Sequence, residues 1–187
     1  GKGDAVIITA ASSSVGLAAI QIANSVGAIS IATTRTSAKV SALKAAGAAH
    51  VVVTEEQDLV TAINAITNGK GARIVFDPVG GQGVDKLAQA MSPGGTLFLY
   101  GGLSLEPTIF PVASAFMKGL SLRGYVMFEI VGDKARREAA IAFITKGLEA
   151  GTLKPVIAKT FPFDSIVEAH RYLESNAQVG KIVVTVG

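Results

Sequence analysis

A run of three serines follows the first apolar segment of the chain, in the stretch TAASSSVGLAAIQIA from Thr9 to Ala23. Dinucleotide-binding proteins carry G-x-G-x-x-G at such a point, for a tight turn, a close approach to the pyrophosphate and close packing of helix on strand. Aligning that pattern places Ala11, Ser13 and Gly16 at its glycine positions. Ala11 suits the turn if its φ is negative, and the Ser13 hydroxyl can donate to a phosphate oxygen. Because helix N-termini attract anions, the stretch predicts a phosphate-binding turn; an ordinary turn with serine N-caps is the alternative.

The residues after the second apolar segment bear on the choice between the two nicotinamide cofactors. An NAD site has Asp or Glu there, about twenty residues past the fingerprint, to bind the ribose 2′-hydroxyl. No carboxylate lies between Ala32 and Lys39, whereas Thr34, Arg35 and Thr36 offer hydroxyls and a guanidinium. Arg makes charge-assisted hydrogen bonds to phosphate, and hydroxyls add neutral ones. We therefore expect NADP(H) as the cofactor; the alternative is that Arg35 and Lys39 are solvated surface residues.

The elements that must position these residues alternate between short apolar strands and helices. The predicted strands are Ala5–Thr9, Ser30–Thr33, Val51–Val53, Arg73–Phe76, Thr96–Tyr100 and Ser121–Tyr125. Their continuous apolar character indicates parallel strands that are buried on both faces. Right-handed crossovers then give an α/β fold with a doubly wound parallel sheet, the Rossmann fold, which binds ligands beyond the carboxyl ends of its strands.

The helices predicted between these strands are Val15–Val26, Ala38–Ala46, Asp58–Thr67 and Val84–Met91, the last stopped by Pro93-Gly94-Gly95. A long amphipathic helix, Asp133–Gly151, follows the sixth strand. The chain then has a strand–helix–strand pattern, Val156–Phe161, Ser165–Glu174 behind an Asp164 cap, and Lys181–Val186. We interpret residues 1–152 as an NADP-binding domain and residues 153–187 as a C-terminal tail.

Five segments occur in one order and spacing: ITAASSSVGLAAIQIA, ATTRTSAK, AAGAAHVVVTEE, GARIVFDPVGG and PGGTLFLYGGLS. Over essentially the whole chain they resemble the zinc-independent, quinone-oxidoreductase-like branch of the medium-chain dehydrogenase/reductase superfamily. Such proteins reduce quinones, enones or related carbonyls with NADPH, and a catalytic domain with a GroES-like fold precedes their cofactor domain. The resemblance implies the cofactor domain of such an oxidoreductase, with the catalytic domain absent from this sequence. We therefore expect the chain alone to bind NADPH without turning over substrate.

The resemblance also implies which residues contact the cofactor. The implied contacts are Ser13, Ser14 and Val15 for the pyrophosphate; Thr34, Arg35, Thr36 and Lys39 for the 2′-phosphate; Pro78 and Val79, within Asp77–Gly80, for adenine and ribose; Gly101, Gly102, Leu103, Met127 and Phe128 for the nicotinamide; and Asn176 and Lys181 from the tail. Relatives often carry Tyr near the adenine where Thr54 stands. Thr54 can hydrogen-bond but cannot stack, so we expect weaker affinity or looser placement of the adenine.

The sequence assigns no catalytic residue. Tyr100, Tyr125 and Tyr172 could each donate a proton, but each is predicted to be a core or edge aromatic. The chain has no Cys, and His50 and His170 lack metal-ligand spacing, so no metal site is predicted. Direct hydride transfer from a nicotinamide needs no protein nucleophile, since the cofactor carries the chemistry.

Composition narrows the classes of partner. The 187 residues have a net charge of +3 with scattered basic residues, and no apolar run reaches membrane-span length. We therefore expect no nucleic-acid and no membrane partner. The absence of Cys predicts a cytoplasmic protein. The resemblance implies a small carbonyl or quinone substrate and a homodimer through edge strand 121–125. Four alternatives stay open: the cofactor domain of an alcohol dehydrogenase, that of an enoyl reductase, a non-catalytic NADPH-binding module, and a methyltransferase, which usually has an acidic residue after its second strand.

Overall fold

The computed structural model describes residues 1–187, which form eight strands and eight α-helices. The strands are β1 (Ala5–Ile8), β2 (Ile29–Thr34), β3 (His50–Val53), β4 (Ala72–Asp77), β5 (Met91–Leu99), β6 (Ser121–Gly124), β7 (Ile157–Pro162) and β8 (Lys181–Thr185). The helices are α1 (Ser14–Ser25), α2 (Val40–Ala45), α3 (Leu59–Thr67), α4 (Gly83–Gln89), α5 (Val112–Lys118), α6 (Phe128–Val131), α7 (Lys134–Glu149) and α8 (Ile166–Glu174). None of the helices combines the length and the apolar character that crossing a bilayer requires.

Six of the strands form one parallel sheet in the order β3-β2-β1-β4-β5-β6. Val6 of β1 lies between Ser30 of β2 and Ile74 of β4. Strands β2 and β3 therefore lie on one side of β1, and β4, β5 and β6 lie on the other. This is the strand order of a doubly wound Rossmann sheet and confirms the predicted fold class. Because all six strands run the same way, the turns that follow β1, β2, β4 and β5 meet along one edge.

The core lies on both faces of this sheet, as the continuous apolar runs predicted. Ile7, Val75 and Leu97 belong to a cluster of 13 buried residues that includes side chains of α3 and α4. Ile8 and Ile20 belong to the cluster of seven on the other face, where α1 and α2 pack. Each fully buried side chain of this size contributes about 2–3 kcal/mol of hydrophobic stabilisation. The two clusters fix the strand ends from which the candidate site is built.

The structure corrects the predicted end of α4. The sequence indicated a helix to Met91 stopped by Pro93-Gly94-Gly95, but β5 already begins at Met91 and runs through that triplet. Met91 pairs with Ala72 of β4, and regular pairing resumes only at Thr96, so the residues between them form a bulge. A bulge accepts proline and glycine, which a regular strand interior excludes, and Gly94 has a φ of +68°. The triplet therefore interrupts a strand and does not separate a helix from one.

Three further features differ from the sequence-based expectation. Helices α5 and α6, of seven and four residues, were not predicted. Asp164 does not cap α8: it lies within a 3₁₀ turn, Phe163–Ser165, and Ser165 precedes the helix. Helix α7 exists as predicted, with Asp133 as its N-cap, but its apolar residue Ile141 is 57% exposed.

The C-terminal tail forms a second, two-stranded parallel sheet of β7 and β8. Hydrogen bonds join it to α1 and to the turn after β1. The side-chain amide of Gln21 on α1 donates to the Lys154 carbonyl at 3.0 Å and accepts from the Lys154 N–H at 2.7 Å. The Gly180 N–H donates to the Ser12 carbonyl at 2.9 Å, next to a bridge between Ser13 and Gly180. The tail therefore returns to the serine-rich turn.

Candidate functional site

The turns that follow β1, β2, β4 and β5 lie along one edge of the sheet, which we call the ligand edge. The turn between β1 and α1 presents hydrogen-bond donors at this edge. Ser13 is the N-cap of α1, and its Oγ accepts from the Gly16 N–H at 3.0 Å. In the first turn of α1 the Val15 N–H has no acceptor in the chain, as is usual there, whereas the Ser14 N–H faces the Gly180 carbonyl across the bridge between Ser13 and Gly180. The helix N-terminus also carries a partial positive charge, so this end of α1 can attract an anion.

The packing of this turn leaves no room for a side chain at Gly16. A Cβ there would lie 2.6 Å from Ala11 Cα and 2.7 Å from the carbonyl oxygens of Ala10 and Ala11. Ala11 is fully buried and is not among the residues with positive φ, as the alignment required. The left-handed residue is its neighbour Ala10, at φ 46°, a conformation that is costly for a residue with a Cβ. Ala10 therefore makes the turn, and Gly16 allows the helix to approach it.

The residues predicted to select the cofactor gather where β2 and β3 end. The Thr54 N–H donates to the Thr34 carbonyl at 2.8 Å, and Thr34 Oγ1 donates to the Thr36 carbonyl at 3.2 Å. Arg35 is exposed, and its guanidinium has no ion-pair partner in the chain. The structure thus brings Thr34, Arg35, Thr36 and Thr54 together, with the Arg35 donors directed to none of the chain's carboxylates.

Lys39 lies beside these residues, but its ammonium is engaged differently from the expected contact with a 2′-phosphate. Its Nζ donates to Ser12 Oγ at 3.1 Å, to the Asn176 carbonyl at 2.5 Å and to the Gln178 carbonyl at 3.1 Å. Burial, and then the nearby Arg35 charge, lowers the pKa of Lys39. An ammonium has three N–H donors, so none remains for a phosphate unless one of these bonds breaks.

A buried carboxylate organises the turn after β4. Asp77 is fully buried and accepts hydrogen bonds from Thr9 Oγ1, from the Val79 N–H at 3.1 Å and from the Gly80 N–H at 2.9 Å. These bonds fix the turn against β1, so the buried carboxylate of Asp77 has a structural role.

The turns after β4 and β5 are joined to each other. The Leu103 N–H donates to the Pro78 carbonyl at 3.0 Å, and the Ser104 N–H donates to the Val79 carbonyl at 2.9 Å. A Cβ at Gly101 would lie 2.8 Å from the Pro78 carbonyl oxygen, so that position needs glycine. Four predicted residues, Pro78, Val79, Gly101 and Leu103, therefore converge. Phe128 lies at the start of α6, beyond the end of β6, and is 72% exposed.

Each of the three tyrosines packs against a phenylalanine, as predicted: Tyr100 on Phe76, Tyr125 on Phe98 and Tyr172 on Phe161. The Tyr100 ring stacks with its centroid 4.0 Å from that of Phe76, and its hydroxyl is buried without a partner. Burial, and then the Asp77 charge, raises the pKa of Tyr100 to about 12. The phenol is therefore protonated at neutral pH and serves the packing of the sheet.

A cavity of about 250 Å³ separates the N-terminus of α1 from the tail. Its lining includes the predicted residues Ser13, Ser14 and Lys181, and also Gln178. The Gln178 Oε1 is buried with no hydrogen-bond partner, so a ligand hydroxyl or amide here would satisfy it. Asn176, also predicted, directs its carbonyl to Lys39 and its side-chain amide to the Glu174 carbonyl.

Two residues of this arrangement, Ser12 and Gln178, were not predicted individually as contacts. Ser12 was visible within the serine run, but nothing in its neighbours indicates a partner on Lys39. Gln178 lies in a loop of the tail whose local sequence resembles any polar surface loop. Only the return of the tail brings either side chain to the site.

No three His, Asp or Glu side chains lie together as a metal-binding group would require. His50 begins β3, and His170 is exposed on α8. The donors at the ligand edge are therefore N–H groups, hydroxyls, a guanidinium and an ammonium. These groups suit a phosphorylated organic ligand, whose phosphate matches the N-terminus of α1.

The chain is similar in sequence to a known protein family and to proteins of known activity. Residues 14–146 match the sequence profile described as zinc-binding dehydrogenase. The chain is 27% identical over 184 residues to a 2-haloacrylate reductase of a Burkholderia species, an alignment that covers 97% of this chain and 55% of that protein.

The fold is also similar to parts of two solved oxidoreductase structures. A quinone oxidoreductase of Escherichia coli, complexed with NADPH, superposes with a TM-score of 0.89 at 26% identity, over 98% of this chain and 57% of that one. An NAD-dependent alcohol dehydrogenase superposes with a TM-score of 0.88 at 34% identity, over 100% of this chain and 52% of that one. The chain spans about half the length of these three relatives.

Proposed function

Because the chain belongs to the zinc-binding dehydrogenase family, we propose that it is the NADPH-binding domain of an oxidoreductase. The substrate of the whole protein would be a small quinone, enone or related carbonyl, which receives the hydride that the nicotinamide supplies when bound. The cofactor assignment depends on the residues at the end of β2. Arg35 is exposed there without an ion-pair partner, and no carboxylate is present to bind a ribose hydroxyl.

The proposed contacts follow the ligand edge of the sheet. The pyrophosphate would lie on the N–H groups of Ser14 and Val15, next to the Ser13 hydroxyl. Arg35, Thr36 and Lys39 would bind the 2′-phosphate, with Thr34 and Thr54 bordering it. Lys39 would give up one of its present hydrogen bonds to do so. The remaining contacts are Pro78 and Val79 for the adenosine, Gly101, Leu103 and Phe128 for the nicotinamide, and Asn176 and Lys181 from the tail. These residues bind and orient the cofactor; none of them is assigned a proton transfer.

Zinc has no part in this proposal. The family description names zinc, but this chain has no Cys and no group of three or more His, Asp or Glu side chains. Protein zinc sites use three or four such ligands. The residues present do not fit a zinc site, so hydride transfer is not routed through a metal held by this chain.

Replacing Arg35 by alanine tests the cofactor assignment. We expect the wild-type chain to bind NADPH more tightly than NADH. The variant should bind NADPH about 10- to 100-fold more weakly, because it loses charge-assisted hydrogen bonds to the 2′-phosphate. Its affinity for NADH should not change, because NADH has a hydroxyl at that position. Calorimetric titration with both nucleotides gives the four dissociation constants.

Arg171→Ala is the matched control for Arg35→Ala, since Arg171 is an exposed arginine on α8. This control should leave both affinities unchanged. Equal wild-type affinities for NADPH and NADH would contradict the cofactor assignment.

A second candidate is the cofactor domain of an NADH-dependent alcohol dehydrogenase. The similarity to the NAD-dependent alcohol dehydrogenase favours it, whereas the absence of Asp or Glu after β2 does not. An enoyl reductase domain and a non-catalytic NADPH-binding module stay open, and substrate assays on the whole protein would separate them. Membership of a dehydrogenase family removes the methyltransferase alternative.

Homodimerisation and a cytoplasmic location are further proposals. The lack of Cys supports the location. Strand β6 supports the dimer, because it is an edge of the six-stranded sheet and follows α5, where Phe116 and Met117 are 83% and 78% exposed. An unpaired strand edge beside exposed apolar side chains is a template for pairing with a second copy.

Phe116→Glu is expected to weaken this dimer at least tenfold, since it would place a charge in the apolar part of the interface. Light scattering at about 50 μM, well above typical specific dimer constants, measures the effect. Val167→Glu, at a half-exposed valine of α8, should leave the mass unchanged. A wild-type chain that is monomeric at this concentration would contradict the dimer.

A further inference from the structure

An apolar groove of about 470 Å³ lies between α1 and the part of the sheet formed by β1, β4, β5 and β6. Twelve of the 14 residues that line it are hydrophobic. We call it the α1 groove; its walls include Val15, Ile22 and Val26 of α1 and Ile74, Phe76 and Phe98 of the sheet. Of the residues assigned to the cofactor, only Val15 lines it. The cofactor assignment therefore leaves this groove unexplained.

Helix α1 is apolar on two sides. Leu17 and Ile20 are buried against the sheet, as in any helix that covers one. Val15, Ile22 and Val26 form a second stripe, at spacings of seven and four residues, and are 40–49% exposed. A helix that faces solvent on its outer side carries polar residues there. The second stripe therefore indicates a second neighbour for α1.

The sheet shows the same incomplete cover. Ile74 and Phe76 of β4 line the groove, whereas Val75 between them is fully buried on the opposite face, where α3 and α4 pack. Parallel strands are normally covered on both faces. On the groove face, α1 and α2 pack over the other half of the sheet, and α7 lines no part of the groove. The face of β4 and β5 thus lacks the helix layer that this type of sheet has.

The backbone around the groove indicates which kind of segment fits there. Strands β1, β4 and β5 each pair with a strand on both sides, and the α1 backbone is helical. The groove therefore offers no row of free N–H and C=O groups, and a segment within it has to satisfy its own backbone, as a helix does. From Val15 to Val26 the second stripe extends about 16 Å, or three helical turns.

We propose that, in the whole protein, a helix that immediately precedes Gly1 fills the α1 groove with an apolar face. Gly1 itself lines the groove, so a segment joined to it is tethered there and closes onto it at little entropic cost. The matched relatives are long enough to supply it, since the chain spans 52–57% of their length. Arg123, the one charged side chain of the lining, already pairs with Glu129, so the groove requires no charged partner. The inference goes beyond the proposed function, because it concerns the packing of this domain and not the cofactor.

A single cysteine in the groove tests the inference, because the chain has no other Cys. Ile22→Cys should react readily with a thiol reagent such as dithiobis(nitrobenzoate) in the 187-residue chain. In the whole protein, with any other cysteines replaced by serine, its reaction should be about 100-fold slower, since it would require local opening. Val26→Cys, one turn further along α1, should behave alike and replaces the first variant if that one folds poorly.

Lys70→Cys is the matched control, because Lys70 is exposed between α3 and β4, away from the groove. It should react equally fast in both proteins. Equal rates for Ile22→Cys in the two proteins would overturn the inference.

A cross-link identifies the occupant. A diazirine amino acid at position 22 of the whole protein, illuminated and analysed by mass spectrometry, should join to residues within about 25 positions before Gly1, the length of a helix and a short connection. Cross-links to α7, to a second copy or to a more remote part of the whole protein would overturn the inference, even if the cysteine were protected. Neither measurement involves a nucleotide, so a failure of the chain to bind NADPH would contradict the proposed function alone.

Discussion

Replacing Gly16 by alanine is expected to lower the free energy of unfolding by about 3 kcal/mol and to abolish dinucleotide binding. The new Cβ would lie within 2.7 Å of three backbone atoms of Ala10 and Ala11. Backbone atoms cannot rotate away as a side chain can, so α1 must move off the turn. That movement would displace the N–H groups of Ser14 and Val15, which form the proposed pyrophosphate site. Urea denaturation followed by circular dichroism, with titration of NADPH, measures both effects.

Gly83→Ala is the matched control for Gly16→Ala. Gly83 is also near the start of a helix, α4, and a Cβ there meets no atom within 4 Å. The control should be neutral or up to about 1 kcal/mol more stable than the wild type, because alanine favours helix. A Gly16→Ala chain that unfolds at the wild-type urea concentration and binds NADPH would contradict the description of the turn.

The second large effect is expected from Asp77→Ala, with a loss of about 3–5 kcal/mol of stability. The substitution would leave the Thr9 hydroxyl and the N–H groups of Val79 and Gly80 without the acceptor that they share in a fully buried place. The turn after β4 would lose its fixed shape, so NADPH affinity should also fall, by about tenfold. Thermal unfolding and titration measure the two losses separately.

Two other variants make the Asp77 prediction specific. Asp77→Asn keeps the shape and one carbonyl acceptor, so its loss should lie between those of the wild type and the alanine variant. Asp85→Ala removes an exposed carboxylate of α4 whose single bond is to Gln89, and should cost less than about 1 kcal/mol. A stability of Asp77→Ala equal to that of Asp85→Ala would contradict the role of the buried carboxylate.

The parts of the site that depend on neighbouring residues were predictable from the sequence. The alternation of apolar strands and helices predicted a doubly wound parallel sheet, because right-handed crossovers leave few ways to connect such elements. Gly16 and Ser13 were recognisable since a phosphate turn is built from consecutive residues. Arg35 was recognisable because the end of the second strand stands at a nearly constant distance from that turn.

The parts that depend on distant residues were not predictable from local patterns, and only the family resemblance implied that Asn176 and Lys181 of the tail reach the site. The acceptors of Lys39 lie 137 and 139 residues away, and no local pattern indicates that the tail returns to the phosphate turn. The bulge in β5 follows from the register with Ala72 of β4, so Pro93-Gly94-Gly95 looked like the end of a helix. The preference of a residue type for turns does not tell whether a strand resumes its pairing beyond it.

The small sheet of β7 and β8 has a thermodynamic consequence. A pair of strands alone is at best marginally stable, so the tail owes its order to α8 and to its contacts with Ser12, Gln21 and Lys39. Such a segment opens as a cooperative unit at a free energy below that of global unfolding. A ligand that contacted both α1 and the tail would bind only the closed form and would stabilise it by mass action. Occupancy of the proposed site and folding of the tail would then be one linked equilibrium.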